Sequence, residues 1–347
     1  MRKKRLLTLL SCLGLAVAFA LAAFLASQLM RRSQRDRPHS YSPEQLRVDL
    51  DGTLGQSGIC GDALTWVFSA GDGTLTVSGS GEMYEFDAER FADGVPWHEY
   101  TALIRRVRAE DGVTSVSARA FSACPELVEV VLADSVKAVD DLAFNRCPKL
   151  ERATLNGVET LGAGAFSSCG ALRELEAARL RVVGANAFQG CAALTGLPGG
   201  LEQVAQYAFK GCTALTAVRI PAGAALGEGA FYACTGLTEL TLEDGVQTLG
   251  ELCFYGCTAL TAVCIPGSVA ELPTLVFGCC TALRTLTLEN GVAAIGVSAF
   301  QECRALTKLP LPASPGAAGQ SAVLTITVLD RYGAGRFERL YAGLSAQ

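Results

Sequence analysis

The pattern of apolar residues repeats along the middle of the chain with a period of 21 to 23 residues. Each copy contains a phenylalanine, a cysteine three residues later and a leucine three residues after that. The nine copies are marked by Phe121, Phe144, Phe166, Phe188, Phe209, Phe231, Phe254, Phe277 and Phe300. The cysteines in the same register are Cys124, Cys147, Cys169, Cys191, Cys212, Cys234, Cys257, Cys280 and Cys303. A fixed period of this length predicts a solenoid, because one unit cannot bury its apolar face alone and must stack on its neighbours.

Two local patterns alternate within each unit. Ala, Phe, Cys and Leu stand at i, i+1, i+4 and i+7, which predicts one or two helical turns on the convex side of the solenoid. A period of two follows, as in residues 237–242 and 283–288, and it predicts a half-buried strand. A turn such as Glu243-Asp244-Gly245 and a second short extended piece complete the unit. Stacked units of this kind predict a parallel β-sheet.

One unit departs from this pattern at residues 194–201, where the sequence is Leu-Thr-Gly-Leu-Pro-Gly-Gly-Leu. Pro198 cannot donate to a sheet ladder, and Gly199 and Gly200 provide neither β-propensity nor side-chain packing. We therefore expect the strand to be cut short and the sheet to be bent or interrupted between the third and fifth units. Residues 254–300, with their constant spacing of 23, are expected to be the most regular part.

The N-terminal part of the chain has the pattern of a membrane segment. A basic start at residues 1–5 precedes an apolar run at residues 6–30. Twenty-five helical residues span about 37 Å, more than the roughly 30 Å of a bilayer core. This length predicts an N-terminal transmembrane helix that acts as an uncleaved signal-anchor, with a cleaved signal peptide as the alternative. Four basic residues flank each end, so charge alone does not decide the orientation.

Further domain boundaries follow from changes in pattern. Residues 31–56 are a polar linker, and residues 57–100 form a small β-rich leader with two strands around a glycine-rich turn. We expect this leader to cap the open end of the solenoid, because such an end exposes core and strand edges. The solenoid covers residues 101–312, as a half repeat followed by nine repeats. Residues 313–347 are expected to be a C-terminal cap or tail.

Charge argues against a nucleic-acid partner. The first forty residues hold eight Lys or Arg and one Asp, and the remaining chain has 21 basic and 33 acidic residues, a net charge of −12. An acidic region without a basic stripe is not typical of a nucleic-acid-binding protein. It is compatible with an exported, soluble surface.

The chain has fourteen cysteines, a number that raises the question of disulfides or metal. Nine of them share one phase of the repeat, where a small buried apolar residue is needed, so we predict that these nine are buried and unpaired. No C-x₂-C ligand pair is present and only two histidines exist, which argues against a zinc site or any other metal site. The redox state of Cys60, Cys253, Cys264 and Cys279 stays open, and Cys264 is expected to point outward.

Catalytic chemistry finds little support in the sequence. The two histidines are His39, in the linker, and His98, in the leader. Cys60 and His98 could form a nucleophile pair, but no residue flanking either one matches a catalytic motif, so a structural, hydrogen-bonded histidine is the better interpretation. We therefore expect no enzymatic activity and no cofactor.

The residues between the core positions of each predicted strand face outward in two columns, where they are free to vary for recognition. Glycine, alanine, proline and Cys264 occupy some of these positions, and the columns contain no aromatic ladder for carbohydrate stacking. The candidate binding face comprises Glu129, Val131, Arg152, Thr154, Glu174, Glu176, Arg219, Glu239, Thr241, Thr285, Thr287 and Lys308. A protein ligand is the preferred partner, and a merely solvated face is the alternative.

The repeat resembles that of the BspA-like leucine-rich-repeat surface proteins of bacteria. Residues 216–221 (Thr-Ala-Val-Arg-Ile-Pro) and 261–266 (Thr-Ala-Val-Cys-Ile-Pro) match the end of that family's repeat, and residues 60–97 are similar to its leader region. The resemblance extends from Leu103 to about Pro312. It implies a leucine-rich-repeat solenoid exposed at the cell surface that binds or adheres to a protein of a host or cell surface. Together with the anchor predicted from residues 6–30, this gives a single-pass membrane protein with extracellular repeats. A non-specific structural protein of the cell envelope, and a form secreted after signal cleavage, are the alternatives.

Overall fold

A computed structural model of the chain describes residues 56–86 and 94–307. The predicted basic N-terminus, the transmembrane helix, nearly all of the linker, the C-terminal cap and Lys308 lie outside these residues. Across the described segments, no helix combines the length and apolar character needed to cross a bilayer.

The leader forms three strands that open the solenoid: β1 (Gln56–Gly61), β2 (Leu64–Ser69) and β3 (Thr74–Gly79). Both β1–β2 and β2–β3 pair antiparallel, so the two strands predicted around the glycine-rich turn are confirmed and β1 is an addition. A single 3₁₀ turn follows at His98–Tyr100. The third strand then pairs in parallel with the first strand of the half repeat, so the leader and the repeats share one sheet.

Most repeats contribute a long strand and a short strand, and each kind stacks in parallel. The unit of Phe188 lacks the long strand, and the unit of Phe231 has only an isolated bridge at Thr248 in place of the short strand. Of the long strands, the first four are β4 (Arg106–Ala109), β6 (Glu129–Leu132), β8 (Arg152–Thr154) and β10 (Glu174–Glu176). The other four are β13 (Ala217–Ile220), β15 (Glu239–Leu242), β16 (Ala262–Ile265) and β18 (Thr285–Leu288). The short strands are β5 (Ser115–Val116), β7 (Ala138–Val139), β9 (Thr160–Leu161), β11 (Val182–Val183), β12 (Gln203–Val204), β14 (Ala225–Leu226), β17 (Glu271–Leu272) and β19 (Ala294–Ile295).

The predicted helical turns are wrong. The segment around each phenylalanine is a series of turns in which the backbone N–H of one phenylalanine donates to a carbonyl of the next unit, as from Phe121 to Ala143 at 2.8 Å. The residues two before and two after the phenylalanine donate in the same direction, for example from Arg119 to Asp141 and from Ala123 to Asn145. These bonds join neighbouring units, whereas an α-helix would close its bonds within one unit. We call this segment the turn ladder.

Backbone conformation explains why a helix cannot form there. The residues two before and two after each phenylalanine have positive φ, for example 58° at Arg119 and 57° at Ala123. A left-handed residue at two places within five interrupts the right-handed winding that an α-helix requires. Several units have glycine at these positions, as at Gly164 and Gly190, because glycine accepts positive φ without steric cost.

The phenylalanines form a single buried column through the core. From Phe121 to Phe277 each has an exposed fraction of 1% or less, and neighbouring ring centroids are 5.1 to 5.7 Å apart with nearly parallel planes. Trp97 extends the column into the leader, since its ring stacks on Phe121 at 5.0 Å. Its indole Nε1–H donates to the carbonyl of Ala120 at 2.9 Å, which is the carbonyl that a preceding phenylalanine N–H would otherwise reach.

The nine cysteines of the repeat phase are buried and free, as predicted. Eight of them, from Cys147 to Cys303, donate their S–H to the backbone carbonyl of the phenylalanine in the preceding unit, at 3.1 to 3.4 Å. In most units that carbonyl also accepts the backbone N–H of the cysteine in its own unit, as from Cys212 to Phe209 at 3.2 Å, so the thiol adds a second hydrogen bond to it. The cysteine therefore provides both a small apolar side chain and a hydrogen-bond donor.

The interruption predicted at residues 194–201 is confirmed. No strand forms there, and the sheet that runs from β1 ends at β10 while β13 pairs only with β15. The short strands continue past this point in a six-stranded sheet. A second interruption, between β15 and β16, separates residues 262–288 from the rest of the long strands. The longest ladders therefore lie in the first units and not in residues 254–300.

Candidate binding face

The outward side chains of β1–β3 and of the long strands form one surface, the strand face. In β13, Val218 and Ile220 are buried whereas Ala217 and Arg219 are exposed, and the other strands alternate in the same way. Eleven of the twelve candidate residues lie on this face and are exposed or half-buried; Lys308 is outside the described residues. The parallel register aligns these residues in columns that run across the strands, for example the column of Glu129, Arg152 and Glu174.

Opposite charges alternate at the leader end of the strand face. Glu129 accepts a hydrogen bond from Nε of Arg152 at 3.2 Å and forms an ion pair with Nε of Arg106 at 3.2 Å. A terminal nitrogen of Arg106 also lies 4.0 Å from Asp72. Because each arginine uses Nε toward Glu129, the carboxylate fixes the orientation of both guanidinium groups. These partly exposed pairs contribute about 0–1 kcal/mol each to stability, so their main effect is on geometry.

A cavity of about 230 Å³ lies beside these pairs, lined by Asp72, Arg105, Arg106, Val128 and Arg152. Three of its five lining residues are arginines and one is an acid. The volume is enough for several water molecules or for a carboxylate group. The leader end of the strand face therefore has a small, predominantly basic recess.

The acid in this recess is held by the turn before β3. The carboxylate of Asp72 accepts hydrogen bonds from the hydroxyl of Thr74 at 2.8 Å and from its backbone N–H at 3.1 Å. The hydroxyl bond, with smaller contributions that include the charge of Arg106, lowers the pKa of Asp72 below its usual value. Asp72 is therefore ionised at neutral pH. Gly73 has φ of 70°, and a Cβ there would lie 2.8 Å from the side chain of Arg105.

Two apolar side chains are exposed on the same face of the leader. Ile59 in β1 and Val67 in β2 have exposed fractions of 63% and 43%. Strand register pairs Val67 with Thr76 and Thr76 with Arg108, which places these residues on one side of the sheet. The apolar pair is therefore continuous with the arginine-rich part of the strand face.

Beyond the interruption the strand face is nearly neutral. Thr241, Thr285 and Thr287 are exposed there, and so is Cys264, which points outward as expected. Arg219 is the main cation, and it forms an ion pair with Glu243 at 2.5 Å. The two halves of the strand face therefore differ in chemistry.

The turn ladder has an aromatic group of its own. Tyr232 stacks on Tyr255 at 5.1 Å, Tyr207 meets Tyr232 edge to face at 6.2 Å, and the ammonium of Lys210 lies over both Tyr207 and Tyr232. Tyr207 donates to Glu228, and this bond raises the pKa of its phenol. Since the rings contact one another and Lys210 already lies over two of them, this group stabilises the surface of the stack.

The remaining cysteines show no catalytic arrangement in the described part of the chain. Cys60 and Cys253 are buried, and desolvation raises the pKa of Cys60 to about 12, so its thiolate is disfavoured. Cys279 is half-buried and donates to the hydroxyl of Tyr255 at 3.1 Å. Across residues 56–86 and 94–307, no cluster of three or more His, Cys, Asp or Glu side chains is arranged to hold a metal ion.

Sequence reasoning missed the part of the strand face that lies before Glu129. The columns of candidates began with the first full repeat, whereas Arg106 and Arg108 of β4 and Val67 of β2 continue them. The alternation of charged and apolar residues at 105–109 was the available signal. The leader was interpreted only as a cap, so its outward residues were not considered.

Coils of 21 to 23 residues, a parallel ladder of strands and a central column of phenylalanines define a leucine-rich-repeat solenoid. The sequence matches the BspA type Leucine rich repeat region, in six copies, over residues 98–215 and 202–323. The chain therefore belongs to the BspA type leucine-rich-repeat family.

Solved structures of bacterial proteins match the chain at low identity and low TM-score. A leucine-rich repeat protein from Eubacterium ventriosum is 21% identical over 75% of this chain and 86% of that chain, with a TM-score of 0.38. The T. pallidum Leucine Rich Repeat protein is 21% identical over 70% and 86%, with a TM-score of 0.37. A leucine rich cell surface protein from Faecalibacterium prausnitzii is 20% identical over 74% and 94%, with a TM-score of 0.32. A search of curated proteins found no match.

Proposed function

We propose that this chain is a membrane-anchored, extracellular binding or adhesion module that recognises a protein ligand of a host or cell surface and has no catalytic activity. The observation that carries the proposal is the strand face, whose side chains alternate with core residues and have no packing role of their own. Solenoids typically use such extended faces for protein recognition. Membership of a surface-protein family supports the extracellular placement.

A structural protein of the cell envelope is the second candidate. The ion pairs among Arg106, Glu129 and Arg152 favour it, because charges that neutralise one another need no external partner. The two functions predict different results when a ligand is offered: saturable binding for a recognition module and none for a purely structural protein.

Cys264 tests the extracellular placement. Its thiol is exposed, whereas the cysteines of the repeat phase are buried. A membrane-impermeant maleimide added to intact cells that produce the full chain should label it, and Cys264→Ala should remove most of the label. Labelling that requires cell lysis would contradict the proposed orientation.

Paired threonine substitutions test whether the strand face binds. Thr241→Lys with Thr287→Lys places two long cations on the strand face, whereas Thr235→Lys with Thr281→Lys places the same two on exposed positions away from it. Binding of the full chain in detergent micelles to a panel of purified extracellular-matrix and cell-surface proteins should be saturable. The first pair should weaken it by about tenfold or more, and the second should leave it unchanged. Equal effects of both pairs, or no saturable binding, would favour the envelope protein.

A further inference from the structure

We propose that the leader end of the strand face binds an extended, acidic protein segment that also carries apolar side chains. The proposed surface, the arginine patch, consists of Arg105, Arg106, Arg108, Arg152, Ile59 and Val67. This inference rests on the proposed function, and it adds the position of the binding site and the chemical class of the partner.

The arginine patch is positively charged on an otherwise acidic surface. Four arginines of the patch lie among three acids, Asp72, Glu129 and Glu174, so the patch has a local charge of +1 on a chain whose charge beyond the first forty residues is −12. A positive island on a negative surface attracts an acidic partner and orients it as it approaches. No acidic side chain of the described residues forms an ion pair with Arg105 or Arg108.

Two guanidinium groups of the arginine patch are held in position before a ligand binds. Glu129 lies 3.2 Å from the Nε atoms of Arg106 and Arg152. One terminal nitrogen of Arg106 lies 4.0 Å from Asp72, whereas the terminal nitrogens of Arg152 form no ion pair among the described residues and remain available at the cavity. Guanidinium groups bind carboxylates in a bidentate manner, and a fixed orientation lowers the entropy cost of binding. Arg105 completes the lining, and its side chain has room beside the turn because Gly73 lacks a Cβ. The recess is therefore prepared to accept a carboxylate.

The exposed apolar residues decide which acidic partner fits. Ile59 and Val67 offer a contact for apolar side chains and nothing for a sulfated sugar chain. An anionic lipid surface is disfavoured because its headgroup charge would cover Asp72 and Glu129 as well as the arginines, whereas a protein segment can place its carboxylates at the arginines alone. A protein segment with alternating acidic and apolar residues uses both features.

The size of the patch sets the length of the segment. The strand order β1-β2-β3-β4-β6-β8 gives five steps from Ile59 to Arg152, which is about 24 Å at roughly 4.8 Å a step. An extended peptide of about seven or eight residues spans that distance. We therefore expect a short linear segment to be sufficient.

Binding of a synthetic peptide with alternating Glu and Leu to the full chain in detergent micelles tests the proposal. Arg105→Gln with Arg108→Gln should weaken binding about tenfold, and higher salt should weaken binding to the unsubstituted chain. Arg146→Gln with Arg284→Gln removes the same charge from exposed positions outside the patch and should change nothing. Ile59→Ser with Val67→Ser should weaken binding of this peptide. The same substitutions should not weaken binding of a peptide in which Leu is replaced by Ser.

Three results would overturn the proposal. The first is equal loss of affinity from both arginine pairs, and the second is equal or tighter binding of heparin or of vesicles containing phosphatidylglycerol. The third is no effect of the patch substitutions. If the full chain binds a protein of the panel through Thr241 and Thr287 while the patch substitutions have no effect, the proposed function stands and only the arginine patch fails. Thermal unfolding of each variant separates loss of binding from loss of folding.

Discussion

The cysteine of each unit combines two properties that no other side chain offers at that size. It fills a small apolar space beside the phenylalanine column, and its S–H gives a second hydrogen bond to the phenylalanine carbonyl of the preceding unit. Alanine would leave that carbonyl without this donor, and serine would place a more polar group in the core. Burial also raises the pKa of Cys191 and Cys234 to about 12 each, so their thiols are protonated and unreactive.

The thiols should therefore divide into two classes. In the native protein Cys264 should react rapidly with an aromatic disulfide reagent, whereas the nine buried cysteines should react only after denaturation. Cys212→Ala should lower the free energy of unfolding by about 1–2 kcal/mol through the lost hydrogen bond and the small cavity, and Cys264→Ala by less than about 0.5 kcal/mol. Disulfides between successive members of the buried column would contradict this.

A substitution to glycine should stabilise the turn ladder, contrary to the usual effect. Ala233 has φ of 56°, in the position that Gly190, Gly211 and Gly256 occupy in other units. A left-handed conformation costs an L-residue about 1–2 kcal/mol, and glycine avoids most of this cost. We expect Ala233→Gly to raise the free energy of unfolding by about 0.5–1 kcal/mol, measured by urea denaturation. Gly256→Ala is the matched reverse and should lower it; a change of the same sign for both would contradict the argument.

At the level of elements, the missing strand at residues 194–201 leaves apolar side chains of this unit and of its neighbour less buried. Leu175 of β10 is only half-buried, and so is Leu197, whereas the corresponding Val218 of β13 is buried. Gly196, Gly199 and Gly200 have open space where a Cβ would lie. The stack is therefore held at this point by the short strands and the turn ladder.

Hydrogen exchange should detect this weak point. Amides of residues 195–200 should exchange about tenfold or more faster than those of β8, which is paired on both sides. Amides of β15, which is paired with β13, should be protected as well. Equal exchange rates at residues 195–200 and in β8 would show that the ladder continues in solution.

The sequence was sufficient to predict four features: the stack of repeats, the half repeat, the outward columns and the interruption at Pro198. Each of these depends on a local period or on one residue type. The turn ladder was not predictable from the spacing of Ala, Phe and Cys, which fits a helix equally well. Its bonds join different units, and the signal was the recurrence of glycine at the left-handed positions. The arginine patch required the pairing of β3 with β4, which brings distant parts of the chain together and has no local signature.

At the leader end of the whole stack, Trp97 occupies the place that a phenylalanine has in each repeat. Trp97 replaces both the ring and the N–H of a phenylalanine, whereas Trp66, also buried, has an Nε1 without a hydrogen-bond partner in the described residues. Trp97→Phe should lower the free energy of unfolding by about 1–3 kcal/mol more than Trp66→Phe, because it leaves the carbonyl of Ala120 without this donor. Urea denaturation followed by circular dichroism measures both. A larger loss for Trp66→Phe would show that the indole hydrogen bond is not what closes the stack.

The turn ladder also makes the stack electrically polar. In the strands, successive peptide groups point in opposite directions and their dipoles largely cancel, whereas in the turn ladder three N–H groups of every unit point toward the C-terminal end. Each peptide group has a dipole of about 3.5 D, and aligned dipoles add along the axis as they do in a helix. The sign is the reverse of a helix, because the N–H groups of the ladder, up to those of Leu275, Phe277 and Cys279, donate toward the C-terminal end and the accepting carbonyl oxygens point toward the leader. Every additional repeat would move the two partial end charges further apart without changing their size, so the total dipole moment of the stack grows with the number of repeats.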